Sequence, residues 1–189
     1  MQGFFTAKGN AKLGPRLGAV NRMAIDTCPG ASDWCKSVCY ADRYINGRYG
    51  KTIRAAYTRQ LTLPAGKLPR AVRIHASGDF DTVTYVEHIR AWVKAHPETL
   101  FWAYTRSWRV DGLLESLESL RSEPNMQLFA SVDSSITETP PDGWRVAYIV
   151  GDARYRGAIC MEQTGTKPDC DACGFCFQGQ SKNIGFMAH

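Results

Sequence analysis

The sequence predicts an α/β fold: a partial (β/α) barrel or open sheet with a cysteine-rich C-terminal appendage. Two observations carry this reading. From about residue 48 the apolar pattern switches repeatedly between a period near 3.6 and a period of 2, and strand–helix alternation implies parallel strands joined by right-handed crossovers. From Cys160 both periods vanish and four cysteines gather in loop-like sequence. The chain therefore divides into a core over 1–155, carrying an N-terminal cysteine loop, and a metal-binding tail over 156–189 packed on that core.

The elements follow in order. Residues 1–27 are Gly-rich and basic with little periodicity and read as loop, with a candidate strand near Val20–Ile25. In "YGKTIRAAYTRQL", Ile53, Ala56, Tyr57, Gln60 and Leu61 share one helical face, which predicts a helix over 48–61. "LPAGKLP" breaks it. "RAVRIHA" alternates as a strand over 70–76 and ends in Ser77-Gly78-Asp79. Asp81 is the expected N-cap of a helix over 82–96, with Val83, Val86, Ile89 and Val93 inward and Pro97 after it. "LFWAYTRS" is the next strand. Asp111 is the expected cap of a helix that buries Leu113, Leu114, Leu117 and Leu120. "MQLFASVDSS" and "WRVAYIVGD" are two further strands. Four strands and one candidate are too few for a closed eight-stranded barrel, which takes about 250 residues.

The 189 residues allow one domain with a real core. No segment approaches the roughly 20 apolar residues of a membrane span, so no membrane partner is expected. Phe4 and Phe5 are too short an apolar run for a signal peptide, which points to the cytoplasm. The net charge of +5 permits nucleic-acid contact without demanding it.

Seven cysteines are many for such a chain, and an odd number cannot be fully paired as disulfides. In a reducing compartment clustered thiols bind metal or do redox chemistry. Cys28, Cys35 and Cys39 are spaced C-x6-C-x3-C, and Cys160, Cys170, Cys173 and Cys176 are spaced C-x9-C-x2-C-x2-C. Two-residue gaps aim successive thiolates at one centre, and Gly174 suits the turn this requires. Zinc and iron–sulfur clusters both use this geometry; a C-x2-C-x2-C run is more typical of a cluster. Buried cysteines that merely pack are the bland alternative, but the neighbours here are polar and turn-forming. A [4Fe–4S] cluster is thus expected, with a second cluster or zinc left open, and with it the division of seven thiols among one site or two.

Cys28, Cys35 and Cys39, then Tyr40, a helix, a strand ending in Ser77-Gly78-Asp79 and a later strand ending near Asp133 resemble radical S-adenosylmethionine (SAM) enzymes over residues 28–135. That resemblance implies a truncated radical-SAM-like core. Its three loop cysteines would hold a cubane with one open iron, and Tyr40, Ser77, Gly78, Asp79 and Asp133 would line the cofactor site. Here Asp79 stands where that family has Glu and the cysteine spacing is longer, so SAM binding stays open. "GNAKLG", "TCPGASDWCKSVCYA", "RIHASGDF", "FWAYTRSW", "CDACGFCF" and the final "IGFMAH" resemble, over nearly the whole chain, the phage-encoded gene product 88 family. This implies a viral origin, action in the host cytoplasm and a cysteine-bound cluster, but no reaction.

His189 follows an apolar strand-like run and is either an exposed, inert terminus or a side chain reaching the open iron or a substrate. His75 is either a hydrogen-bonded core histidine or a cavity wall. Asp79 and Asp133 sit at strand ends, where α/β sheets build ligand sites or where a carboxylate caps the next helix. In "WAYTRSWR", Trp102 and Tyr104 read as core, while Arg106, Trp108 and Arg109 fall beside the cavity and suit single-stranded nucleic acid. The expected function is that of an iron–sulfur cluster-binding protein with a radical-SAM-like fold, with a redox or radical reaction on a small molecule left open. The alternative is a non-catalytic zinc or iron–sulfur protein binding nucleic acid or another host macromolecule.

Overall fold

A computed structural model describes residues 1–179 and 181–188. Its strands are β1 Phe4–Thr6, β2 Gly18–Asn21, β3 Ala71–Ser77, β4 Leu100–Thr105, β5 Met126–Ser131, β6 Arg145–Ile149, β7 Gly157–Ile159 and β8 Asn183–Phe186. They form one sheet in the order β1-β2-β3-β4-β5-β6-β8-β7. β1 is antiparallel to β2, and every other pairing is parallel. The fold is mixed α/β, and β1 and β7 stand at the two open edges.

Three short helices separate β2 from β3: α1 Asp33–Ser37, α2 Tyr40–Ile45 and α3 Gly50–Tyr57. α4 Val83–Ala95 links β3 to β4, α5 Leu114–Arg121 links β4 to β5, and α6 Cys170–Cys173 lies in the tail. Because β2 to β6 advance in one direction, right-handed crossovers put α4 and α5 on one face. There Val72, Ile74, Phe101, Ala103, Leu128 and Ala130 pack on Val86, Ile89 and Val93 of α4 and on Leu117 and Leu120 of α5. The alternate strand residues point to the other face, and the tail covers it. Ala19, Ala71 and Trp102 meet Phe177, and Phe129, Ala147 and Ile184 meet Cys160. A large apolar side chain buried there contributes about 1.5–3 kcal/mol, so the tail closes a core and enters the sheet through β7 and β8.

Several expected boundaries shift for identifiable reasons. The strand expected near Val20–Ile25 runs from Gly18 to Asn21, because Ile25 turns the chain with φ 67°. The 48–61 helix shrinks to Gly50–Tyr57. Thr82, not Asp81, caps α4: its Oγ1 accepts the Tyr85 N–H at 3.2 Å. Asp81 instead clamps the buried Arg22 guanidinium at 2.7 and 2.9 Å. Asp111 does not cap α5, which starts at Leu114 without a side-chain cap after a turn at Gly112. β4 stops at Thr105 because Ser107–Arg109 coil into a 3-10 turn. β1, α1, α2, α6 and β7 have too few residues to show a period.

Candidate metal centre

The chain leaves β2 and folds the first cysteine segment over the C-terminal ends of β3, β4 and β5. Gly30 makes this approach feasible, since a Cβ there would come within 2.2 Å of the Arg106 carbonyl oxygen. Ser32 fixes the direction of α1. Its Oγ accepts the Cys35 N–H at 3.0 Å and donates to Asp133 Oδ2 at 2.7 Å. Arg106 reaches the same carboxylate oxygen at 3.2 Å. Asp133 Oδ1 accepts the Ser135 N–H at 3.0 Å. Asp133 is fully buried, yet its carboxyl lies below the usual range: burial pushes it up, but hydrogen bonds from Ser135 and Ser32 outweigh that. Asp133 thus anchors the Cys35 segment to the end of β5.

Ser77, Gly78 and Asp79 turn the chain out of β3 against this segment. Ser77 Oγ donates to the Arg22 carbonyl at 2.9 Å. Gly78 has φ +84°, and a Cβ would meet Arg22 Cβ at 2.6 Å and Thr27 Oγ1 at 2.7 Å. Asp79 uses both carboxylate oxygens on backbone, accepting Phe80 N–H at 2.8 Å and Arg106 N–H at 2.9 Å. Burial raises its carboxyl, with hydrogen bonds from Thr105, Arg106 and Phe80 opposing. Asp79 therefore ties β3 to β4. Tyr40, next to Cys39, donates its hydroxyl to the Ala76 carbonyl.

The tail cysteines arrive from the other direction. Asp169 caps α6 by accepting the Ala172 N–H at 2.7 Å, and Gly174 ends it at φ 71°, so Cys170, Cys173 and Cys176 wind round one tight turn. The Lys12 and Leu13 carbonyls receive Cys170 N–H at 2.9 Å and Asp171 N–H at 3.1 Å. Arg16 and Arg70 hold the Asp171 carboxylate at 2.6 and 2.7 Å. Cys160 is buried beside β8, its N–H on the Gly185 carbonyl at 2.9 Å.

All seven cysteines are free thiols, and all seven line one cavity of about 410 Å³. Tyr40, Ser77, Gly78 and Asp79 share its wall, whereas Asp133 stands behind it through Ser32 and Arg106. Burial, then Asp79, pushes the Cys28 thiol up to about 12. Burial also raises Cys170 to about 12, against Arg73, and Cys176 to about 11, against Tyr104 and Arg145. At neutral pH these thiols stay protonated, and a metal would have to displace the proton. Among the described residues no group of three His, Cys, Asp or Glu is already gathered to hold a metal ion. His189 lies outside the described residues.

His75 is a core histidine at the cavity's edge. Its φ of 64° accompanies a register slip between β2 and β3, and its ring turns to Tyr85, Nε2 to hydroxyl at 2.8 Å. The aromatic–arginine stretch is largely engaged. Trp102 and Trp108 are buried, Arg106 binds Asp133, and Arg109 pairs with Glu138. Sequence reading missed Ser32, Arg73 and Arg145. Ser32 is legible as a cap two residues before Trp34, and the arginines as lone charges inside apolar strands.

The model of the family described as Gene product 88 matches residues 63–179, from before β3 through the cysteine turn. The chain belongs to the gene product 88 family. Its relatives include the Gene 88 protein of Mycobacterium phage L5, 26% identical over an alignment covering 96% of this chain and 90% of that protein. The Gene 88 protein of Mycobacterium phage D29 is 24% identical, covering 93% and 88%. No solved structure matches. The span matched by the gene product 88 model holds Ser77-Gly78-Asp79, Asp133 and all four tail cysteines, while the first cysteine segment precedes it. Among the described residues no helix is long and apolar enough to cross a membrane.

Proposed function

We propose that this is a phage-encoded iron–sulfur protein of the host cytoplasm, with a truncated radical-SAM-like core and a redox or radical activity on a small molecule. The carrying observation is that all seven free thiols line one cavity, three of them on a loop that follows the first parallel strand. Thiols disposed around a cavity suit a cluster of several atoms with several corners to reach. The donor set fits: Cys28, Cys35 and Cys39 are partly buried and free, and Cys35 and Cys39 lie near enough to Cys28 to add to the upward push that burial and Asp79 give its thiol. They would hold a [4Fe–4S] cubane, which when bound supplies one-electron transfer and an iron open to a ligand.

The chain's own residues do the rest. Asp133 and Ser32 fix the Cys35 backbone, and Gly30 lets the loop seat against Arg106. Trp102, Phe177, Phe175 and Met161 wall the cavity against water, which strengthens every polar contact inside it. Its volume lies within the usual range for small-molecule pockets. The radical-SAM-like reading is supported by sequential parallel strands, the loop after β2, Tyr40 beside Cys39 and Ser77-Gly78-Asp79 ending β3 at the cavity. Asp79 already accepts two backbone N–H bonds, so a SAM ammonium would have to share its oxygens.

Electron paramagnetic resonance of the reduced, anaerobic protein with and without SAM tests the activity. A SAM-dependent change in the spectrum is the expected result for a radical enzyme. An unaltered spectrum at saturating SAM removes the radical reading and leaves a cluster protein that works through its partner.

A further inference from the structure

The tail holds a charge imbalance that the fold does not explain. Around it, each acidic group has a partner: Asp171 binds Arg16 and Arg70, Glu162 pairs with Lys12 at 3.1 Å, and Asp169 caps α6. Two guanidinium groups are left over. Arg145 is 8% exposed and donates only to neutral acceptors: the Lys182 carbonyl at 3.0 Å, Gln127 Oε1 at 2.9 Å, and the Phe175 and Cys176 carbonyls at 3.4 Å. It also lies 4.1 Å over the Phe129 ring. Arg73 lines the cavity from the middle of β3, donates from Nε to the His75 carbonyl at 3.2 Å, and sits 5.2 Å over the Tyr104 ring. Among the described residues neither arginine has a carboxylate partner. Arg145 is a buried charge and Arg73 a half-buried one facing the cavity; a buried charge without a counter-charge is costly, so something anionic belongs beside this pair.

The packing says where. Cys170 and Cys176 pack on the Trp102–Phe177 cluster, and Cys160 and Cys176 on the Phe129–Ile184 cluster, while Cys39 packs with Ala24, Ala41 and Ile45 elsewhere. The charges of Arg73 and Arg145 act on Cys170 and Cys176, whereas Cys28 and Cys35 face Asp79, Asp133 and Arg106.

We infer that the seven thiols serve two centres, and that Cys160, Cys170, Cys173 and Cys176 form a closed, anionic four-thiolate metal site whose counter-charges are Arg73 and Arg145. Four thiolates leave a net negative charge on a divalent ion or on a cubane alike. The two arginines offset it, Arg145 from a buried position and Arg73 from the cavity wall. This rests on the reading of the chain as a metal–thiolate protein, but not on which metal the loop cysteines take.

The test uses the full chain with Cys28→Ala, Cys35→Ala and Cys39→Ala, so that only the tail set remains, and zinc(II) as the probe in chelator competition. Arg73 is the residue to vary, because Arg145 also holds the loop backbone. The chain should bind stoichiometric zinc. Arg73→Gln should weaken it by about tenfold, and Arg73→Lys, which restores charge without the planar fork, should recover most of the loss. No zinc binding, an unchanged affinity in Arg73→Gln, or equal losses in the Gln and Lys variants would each overturn the inference. Iron and sulfide in the unmodified protein together with an unchanged Arg73→Gln would sink this inference alone. Zinc binding at the tail with no iron anywhere would sink the iron–sulfur reading and leave this one standing.

Discussion

His75 shows how one side chain can register the state of the whole core. Its backbone sits at φ 64°, a region a non-glycine residue occupies at a cost of order 1–3 kcal/mol, and its ring is buried between Phe80 and Tyr85. Burial, then the charges of Arg22 and Arg73, holds its pKa well below the usual histidine value, so it is neutral in the native state. The unfolded chain takes up a proton near pH 6.5 while the folded chain resists until a lower pH. The stability His75 supports is therefore full above about pH 6.5 and is lost as pH falls toward the native value, by up to about 1.4 kcal/mol per pH unit. Between pH 7 and pH 5 the urea midpoint of the metal-free, reduced protein should fall further for the wild type than for His75→Asn, whose side chain also tolerates positive φ. Parallel losses in both proteins would remove His75 from the pH response.

At the scale of elements, two short segments bring the cysteines to the cavity. The 28–39 loop is tied down through Ser32 and Asp133, so Asp133→Ala should leave Ser32 and Arg106 without their shared acceptor. In metal-free protein Cys35 should then be alkylated several-fold faster while Cys160 is unaffected; equal rates would show that Asp133 does not position the loop. On the proposed metal-binding reading the tail turn depends on ligation for its order, and Cys173→Ala with Cys176→Ala should open residues 160–176 to protease. Unchanged protection of that double variant would mean that Phe177 and the Asp171 ion pairs suffice. These segments also mark what the sequence reveals. The longer α4, β3, β4 and β5 are legible because period repeats over their length, as are the two cysteine sets by spacing. α1, α2, α6, β1 and β7 run to six residues or fewer, and long-range contacts place them. The roles of Asp133 and Arg145 likewise depend on partners far along the chain, which no local pattern encodes.

Over the whole molecule, one open sheet is finished by opposite means on its two faces. α4 and α5 cover one with ordinary apolar packing, while the cysteine-bearing tail covers the other and brings four thiols to the cavity that the loop cysteines reach from the strand ends. Binding metal there would couple folding of the tail to closure of the cavity, because ligation energy is folding energy in a segment with little core of its own. The central claim is that the thiols hold an iron–sulfur cluster. Iron, zinc and acid-labile sulfide measured per chain on anaerobically purified protein test it most directly. The account predicts a brown protein with iron and sulfide in matching, stoichiometric amounts, both lost from the loop centre on Cys35→Ala with Cys39→Ala. Colourless protein with zinc but neither iron nor sulfide would contradict it.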